Sequence, residues 1–363
     1  GISLNLKFTN ENIDLILEGI EFIGKKNIIP VFITPFEKVT KTDKLFLALQ
    51  TTFIQNEFNL QIENCKIVSG INLKQTKFKF SSFGKPIKKL MAEMNKILSN
   101  SNAPVFFRNS HCQVCEFQIS CLEKLIEKDD LSLMTALKPK EILSKNNRGI
   151  FSVKQLSYTF RPKKNPHQKR KFLPELKALA IREDKTFIQE ISNITTSPIE
   201  IFLDIEGIPD RNFYYLIGVI IKTNDSETNH SFWANNENEQ EKIFIDFITL
   251  LQSLNEFTIY HYGSYEIQAL KKISKILTSE HQEFIKKILA NSFFNVLNIF
   301  THNIYPPTYS NSLKDIARFL KFDWSEKDAS GLQSIVWRYN WEVTKDDYLK
   351  HKLYTKDDIV KID

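Results

Sequence analysis

Two acidic residues, Asp204 and Glu206, end an apolar run and are spaced to share one face of a strand. Residues 201–205 have the composition of a buried strand, in which side chains two positions apart point to the same side. Two carboxylates on one face repel each other unless a cation lies between them, and a hard divalent ion with oxygen ligands meets that need. The pair therefore indicates either a metal site or an ordinary strand end with two solvated acids.

Two later motifs extend this acidic set. Residues 257–262 form a predicted strand, and Glu266 follows it in the first turn of a predicted helix. Near residue 358 the chain reads Y-x3-D on a predicted helix, a pattern that an ordinary amphipathic helix also produces. The tyrosine is Tyr354, and its spacing selects Asp358 rather than the adjacent Asp357 as the functional acid. The order of the acids predicts a single oxygen-rich metal site.

The segments around these residues alternate between strand and helix patterns. The predicted elements of the second half are strands at 201–205, 213–221, 231–234 and 257–262 and helices at 239–254 and 265–276. This order is similar to that of a ribonuclease-H-like mixed sheet with flanking helices. The first half also mixes the two patterns, with strands at 14–23, 28–34 and 65–71 and helices at 43–56 and 86–98. We expect an α/β protein.

Three cysteines in the first half have the spacing C-x2-C-x5-C: Cys112, Cys115 and Cys121. In a reducing compartment such a triple is more often a metal site than a set of disulfides. A Zn²⁺ ion or a 4Fe–4S cluster needs a fourth ligand, which Cys65, His111 or a cysteine upstream of the present start would supply. Buried structural cysteines that bind nothing are the alternative.

This cysteine pattern after an α/β domain resembles that of the iron-sulfur RecB-like nucleases, which have a restriction-endonuclease-type fold. The resemblance implies a catalytic core with one acid, an acid-x-Lys pair and a glutamine on a helix. Glu21 and Gln50 match the first acid and the glutamine, but Pro30, Val31 and Phe32 stand where the acid-x-Lys pair belongs. We therefore expect a RecB-like domain that does not cut and that binds nucleic acid or acts as a scaffold.

The acidic motifs of the second half resemble those of the DEDD exonucleases. The phrases YLIG, HYGSYE, YSNSLKDIA and ASGLQSIVW are similar to those of a bacterial family that fuses such a domain to a RecB-like one. The resemblance implies that four acids hold two Mg²⁺ or Mn²⁺ ions: Asp204, Glu206, Glu266 and Asp358. It also implies that Tyr354 orients the attacking water and that the reaction runs 3' to 5' on a single strand. Glu266 departs from the pattern, because the wider group has aspartate there.

A connector, residues 129–174, joins the two halves. Gly149 stands at the break of a helix-turn-helix pattern, and Ser152 is placed to cap the second helix. The segment resembles a helix-hairpin-helix, whose backbone N–H groups contact phosphates, although a plain helical hairpin has the same pattern. A basic run with prolines follows, and we expect it either to contact nucleic acid or to be a solvated hinge. Its candidate contact residues are Arg161, Lys163, Lys164, Lys169, Arg170 and Lys171.

Length and composition set the broad class. With 363 residues, 42% hydrophobic and 25% charged, the chain can bury two cores. We expect three segments, at 1–128, 129–174 and 175–363. A net charge of +6 permits a polyanionic partner. Apolar runs near the acids are short, and the start has no signal-peptide pattern, which predicts a cytoplasmic protein without a membrane partner. The start without methionine leads us to expect a fragment.

The sequence thus predicts a metal-dependent exonuclease that acts on single-stranded DNA or RNA. Two alternatives use the same residues. A ribonuclease-H-type structure-selective endonuclease would cut internally, and a non-catalytic adaptor would bind nucleic acid and release nothing. A metal-stabilised interaction module that acts with a partner, such as a helicase, is a further alternative.

Overall fold

The computed structural model describes most of the chain and divides it into two units. The described residues are 1–9, 14–23, 27–70, 72–99, 107–109, 111–112, 115–162, 172–191, 194, 196–322, 324–326 and 330–351. Unit 1 comprises Gly1–Phe106 with Pro209–Asn212, and unit 2 comprises Phe107–Ile208 with Phe213–Asp363. Residues 107–128, which the sequence analysis assigned to the first domain, therefore lie in unit 2. In the described part, no helix is long and apolar enough to span a membrane.

Unit 1 contains a five-stranded sheet of order β1-β2-β3-β4-β5. Neighbouring strands are antiparallel, except that β3 and β4 are parallel. The strands are β1 (Ile2–Thr9), β2 (Asp14–Ile23), β3 (Asn27–Thr34), β4 (Asn64–Ser69) and β5 (Lys74–Lys79), and the helices are α1 (Lys41–Phe58) and α2 (Gly84–Ser99). Helix α1 is the crossover that a parallel pair requires.

The core of unit 1 forms where α1 packs on the sheet. Leu17 of β2, Leu47 of α1 and Ile67 of β4 are fully buried together. Thr40 begins α1 with a reciprocal capping box to Asp43, which satisfies two backbone N–H groups that have no partner within the helix. These contacts fix the face of the sheet that α1 covers.

Unit 2 is built on a second five-stranded sheet, of order β11-β10-β7-β8-β9. Strands β7, β8 and β9 are antiparallel neighbours, whereas β10 is parallel to both β7 and β11. The strands are β7 (Ile199–Ile208), β8 (Phe213–Lys222), β9 (Glu227–Trp233), β10 (Phe257–His261) and β11 (Phe293–Asn295). This mixed sheet, in a protein of the α/β class, confirms the predicted fold class.

Helices cover one face of the unit 2 sheet, which we call the inner face. Buried residues of α7 (Gln240–Gln252), α8 (Tyr265–Ile273) and α9 (Ser279–Asn291) join those of β7 and β8 in one core. Helix α7 was predicted to within two residues at each end, because its apolar positions recur with helical spacing. The opposite, outer face carries the acids of β7.

The rest of unit 2 consists of helices and two short strands outside this sheet. The helical hairpin of the connector consists of α4 (Pro139–Asn146) and α5 (Val153–Ser157). Gly149, at a φ of 77°, stands at the break, and Ser152 is the N-cap of α5. The remaining elements are α3 (Gln118–Glu127), α6 (Pro174–Glu183), β6 (Phe187–Ile188), α10 (Leu297–His302), β12 (Ile304–Tyr305), α11 (Leu313–Phe319) and α12 (Gly331–His351). Side chains of α12 are described as far as Lys345.

Candidate active site

Strand β7 places two carboxylates on the outer face of the sheet. Ile201, Leu203 and Ile205 are buried on the inner face. The alternation of side chains therefore directs Asp204 and Glu206 to the other side, where Asp204 is exposed and Glu206 is half-buried. The period-two pattern of the sequence determines this arrangement.

A β-bulge lies directly after the second acid. The pairing of β7 with β8 shifts register between Glu206 and Gly207. A Cβ at Gly207 would lie 2.7 Å from the carbonyl oxygen of Phe213 and 2.9 Å from the hydroxyl of Tyr265. Only glycine fits here, so the end of β7 can approach both β8 and the start of α8.

The third described acid, Glu266, reaches the same edge from a different element. Strand β10 runs parallel to β7, so the carboxyl ends of both strands lie at one edge of the sheet. Gly263, at a φ of 102°, turns the chain out of β10, and α8 then begins with Glu266 in its first turn. The helix N-terminus favours a carboxylate at this position.

The three acids repel one another. Although the Asp204 residue is exposed as a whole, desolvation of its carboxyl group by the surrounding protein and, secondarily, the charge of Glu266 raise the pKa of that carboxyl. Burial raises the pKa of Glu206 to about 7; a hydrogen bond from Ser334 opposes this rise, and the charges of Asp204 and Glu266 add to it. Within the described residues, no lysine or arginine forms an ion pair with any of the three acids. The site has negative charge that the described part of the chain does not balance.

Glu266 and His261 form a buried polar pair with spare acceptor capacity. The Glu266 side chain is 6% exposed, and its Oε2 finds no hydrogen-bond partner among the residues that the structure describes. His261 Nδ1 lies 3.5 Å from this oxygen, which is too long for a well-formed hydrogen bond. A buried carboxylate oxygen without a donor is unusual, and a bound cation or a water molecule would satisfy it.

These side chains fit a hard divalent cation by their chemistry. They supply carboxylate oxygens, the ligand type that Mg²⁺ and Mn²⁺ prefer, together with the unpartnered Oε2 of Glu266. In the described residues, no group of three or more His, Cys, Asp or Glu side chains is already close enough to hold a metal ion.

Helix α12 contacts the site through a residue that the sequence analysis missed. The Ser334 hydroxyl donates a 2.7 Å hydrogen bond to Glu206 Oε2. One turn later, the buried Arg338 guanidinium lies 4.4 Å from the ring centroid of Trp341 and 4.7 Å from that of Trp233. This cation–π packing anchors α12 on the sheet beside Glu206. The predicted site residues Tyr354 and Asp358 lie outside the described residues.

The candidate acid of unit 1, Glu21, differs from the acids of unit 2 because it has a charged partner. Lys66 of β4 is buried and forms an ion pair with Glu21 of β2. The hydrogen bond from Lys66 lowers the pKa of Glu21, an effect that burial partly offsets. Lys66 was not predicted from the sequence, because the lysine of the acid-x-Lys pair was expected at residues 30–32, which lie on β3. Gln50, the predicted glutamine, donates from Nε2 to the Ile16 carbonyl oxygen at 2.9 Å.

All three cysteines of the predicted site are among the described residues. Cys112 and Cys121 are half-buried, and Cys115 is exposed. Cys65, a candidate for the fourth ligand, is instead buried in the unit 1 core, where burial raises the pKa of its thiol to about 11. In this core, the Sγ atom of Cys65 lies 3.4 Å from the hydroxyl oxygen of Thr51. The iron-sulfur or zinc site remains a prediction.

The predicted basic contacts fall mostly outside the described residues. Arg161 is described and exposed, and its Nη1 donates to the carbonyl oxygens of Tyr158 and Phe160, each at 2.8 Å. The other five, Lys163, Lys164, Lys169, Arg170 and Lys171, lie outside the described part of the chain. Their role in binding nucleic acid stays a prediction.

Comparison with known families identifies the class of the second unit. A family model of the RNase H superfamily matches residues 201–362. This match and the mixed sheet of unit 2 support a ribonuclease-H-like domain in the C-terminal part of the chain, and such a domain suggests nuclease-type activity on nucleic acid with divalent ions such as Mg²⁺. A search of curated proteins found no match. The family match does not include residues 1–106 of unit 1, so the RecB-like nature of that unit remains a prediction.

Proposed function

We propose that the ribonuclease-H-like domain is a two-metal-ion exonuclease that hydrolyses single-stranded DNA or RNA from the 3' end. One observation carries the proposal. Three carboxylates from two elements lie at one sheet edge, where their charges repel one another: Asp204, Glu206 and Glu266. No described lysine or arginine forms an ion pair with these acids. Acids that repel one another at a partly buried edge fit a site that is completed by bound cations.

The residues that would hold two Mg²⁺ or Mn²⁺ ions are these three acids and Asp358. When bound, such ions activate water and stabilise the leaving oxygen of a phosphodiester. Four carboxylates balance the charge of two divalent ions. The set is therefore electrically neutral only when it is loaded.

The surrounding residues hold these acids in place. Ser334 fixes one oxygen of Glu206 by its 2.7 Å hydrogen bond. Gly207 permits the bulge that ends β7, and Tyr265 packs against that bulge. By resemblance to the DEDD enzymes, Tyr354 would orient the attacking water and Asp358 would complete the acidic set.

We infer that unit 1 binds or organises nucleic acid without cutting it. Lys66 already neutralises Glu21, so that acid has little need for a metal ion. The helical hairpin and the basic residues 161–171 would add contacts to phosphates. A helicase that exposes single strands is a partner that suits this activity. The three cysteines stay candidate ligands for a 4Fe–4S cluster or Zn²⁺.

Digestion of 5'-labelled single strands tests the proposal. DNA and RNA substrates are incubated with Mn²⁺, Mg²⁺ or EDTA. Wild type is compared with Asp204→Asn and with the control Asp246→Asn, which changes an exposed aspartate on α7. We expect a ladder that shortens from the 3' end with wild type and Asp246→Asn, and none with EDTA or with Asp204→Asn. Internal cuts would favour the endonuclease alternative, and intact substrate with every metal would contradict the proposal.

A further inference from the structure

A groove opens on the outer face of the unit 2 sheet beside the candidate site. Its volume is about 530 Å³, within the range of ligand pockets. Its walls include Phe202, Ile220, Tyr260 and Leu313, and Asp204 also lines it. The groove therefore continues directly into the acidic site.

The groove contains a row of apolar side chains that crosses three strands. Phe202 of β7 pairs with Ile220 of β8 on one side and with Tyr260 of β10 on the other. The rings of Phe202 and Tyr260 stack at a centroid distance of 5.4 Å and an interplanar angle of 25°. Phe202 is 42% exposed and Ile220 is 39% exposed. An exposed apolar surface beside a candidate site indicates that something binds there.

A glycine keeps the path between this row and the acid open. Gly218 faces Asp204 across the β7–β8 pair. The nearest atom to a Cβ built at Gly218 is the Asp204 carbonyl oxygen, at 3.9 Å. A group that touches the Asp204 carboxylate can therefore extend along the sheet to Phe202 without meeting a side chain at position 218.

We propose that this groove binds the base of an unpaired nucleotide whose phosphate lies at Asp204. The inference rests on the proposed nuclease function, which brings a phosphate to that carboxylate. A nucleobase has a flat π-face that stacks on aromatic side chains whatever its sequence. The half-buried His230 and the exposed Asn229 give the rim polar groups that suit the edge of a base. A base paired in a duplex cannot lie flat on the sheet, so the groove selects single strands.

Binding measured separately from cleavage tests this proposal. The Glu266→Gln background is used with Mn²⁺, because the proposed function predicts that it cannot cleave. Labelled single strands of about ten nucleotides carry an abasic residue at one position at a time. Phe202→Leu removes the aromatic face, and Phe319→Leu, which changes a phenylalanine that is 40% exposed elsewhere, is the matched control.

We expect one abasic position to weaken binding about tenfold, and Phe202→Leu to weaken binding of the intact strand by a similar factor. The two changes together should cost no more than either alone, because they remove the same contact. Phe319→Leu should leave affinity unchanged.

Three results would overturn the proposal. Phe202→Leu could bind the intact strand as tightly as the Phe319→Leu control does. The losses of affinity caused by Phe202→Leu and by the abasic position could also multiply when the two changes are combined. Alternatively, without nucleic acid, Phe202→Leu could change the oligomeric state, which would mean that a second copy of the chain covers the groove. Failure of the nuclease proposal has a different signature, since wild-type protein would then bind in a base-dependent way but leave every strand intact.

Discussion

The two units contain acids in similar settings, on strands of mixed five-stranded sheets, but they balance the charge in opposite ways. Glu21 of unit 1 pairs with the buried Lys66, which lowers the pKa of the carboxyl. In unit 2, burial raises the pKa of both Asp204 and Glu206, and no described lysine or arginine pairs with either acid. An acid that the chain neutralises itself needs no external cation, whereas a bound cation would relieve the repulsion among the acids of unit 2. This contrast supports the proposal that the chemistry belongs to unit 2.

The largest effect that tests this comparison is the loss of turnover. Asp204→Asn should reduce cleavage of single strands more than about 100-fold, because changing even the partner of a metal ligand costs about 10–100-fold. The double variant Glu21→Gln/Lys66→Met removes the unit 1 pair as a whole, so no buried charge is left alone, and it should cleave like wild type. Single-turnover rates at saturating Mn²⁺ measure both. A large loss in the double variant would show that unit 1 contributes to catalysis.

A smaller effect is expected from the side chain that positions Glu206. Ser334→Ala removes the 2.7 Å hydrogen bond to Glu206 Oε2 and should slow cleavage about tenfold, with a higher Mn²⁺ concentration needed for half-maximal rate. Ser279→Ala changes an exposed serine at the start of α9 and is the control. Equal rates for the two variants would mean that Ser334 does not hold the acid in its working position.

The smallest effect is a pH dependence of stability with opposite signs in the two units. The folded pKa of Glu206, about 7, lies above its ordinary value of 4.5, so the folded state binds more protons between those values. Without metal, Glu206 therefore makes the protein less stable as pH rises from 4.5 to 7, and Glu206→Gln should remove that slope. Urea unfolding in EDTA at several pH values measures it.

Glu21 should show the reverse behaviour. Its pKa is lowered, so its contribution to stability is present above its ordinary value and is lost as pH falls through the lowered one. The double variant Glu21→Gln/Lys66→Met should therefore lose less stability in acid than wild type. The contribution of each acid is the difference in unfolding free energy between wild type and the corresponding variant. If both differences changed with pH in the same direction, the contrast between the two units would be contradicted.

The sequence predicted those parts of the site that depend on local patterns. Asp204 and Glu206 share a face because strand side chains alternate, and Glu266 begins a helix because Gly263 ends the strand before it. Ser334 and Lys66 were missed because their contacts join elements distant in the chain; the hydrogen bond of Ser334 spans 128 positions. No local periodicity signals such a contact.

Edge elements were also harder to predict than central ones. Strand β5 (Lys74–Lys79) was missed, and its sequence KQTKFK has one apolar residue, since an edge strand has little to bury. Strand β1 (Ile2–Thr9) was missed although its apolar and polar residues alternate. The central strands β7 and β8 were found because their inner faces are almost entirely apolar.

Calorimetric titration with Mn²⁺ tests the central claim most directly, because it measures cation binding without requiring turnover. Wild type and the double variant Glu21→Gln/Lys66→Met should bind Mn²⁺ alike, whereas Asp204→Asn should lose most of that binding while its circular dichroism spectrum stays unchanged. Equal Mn²⁺ binding by wild type and Asp204→Asn would contradict the claim that the acids of unit 2 form a cation site.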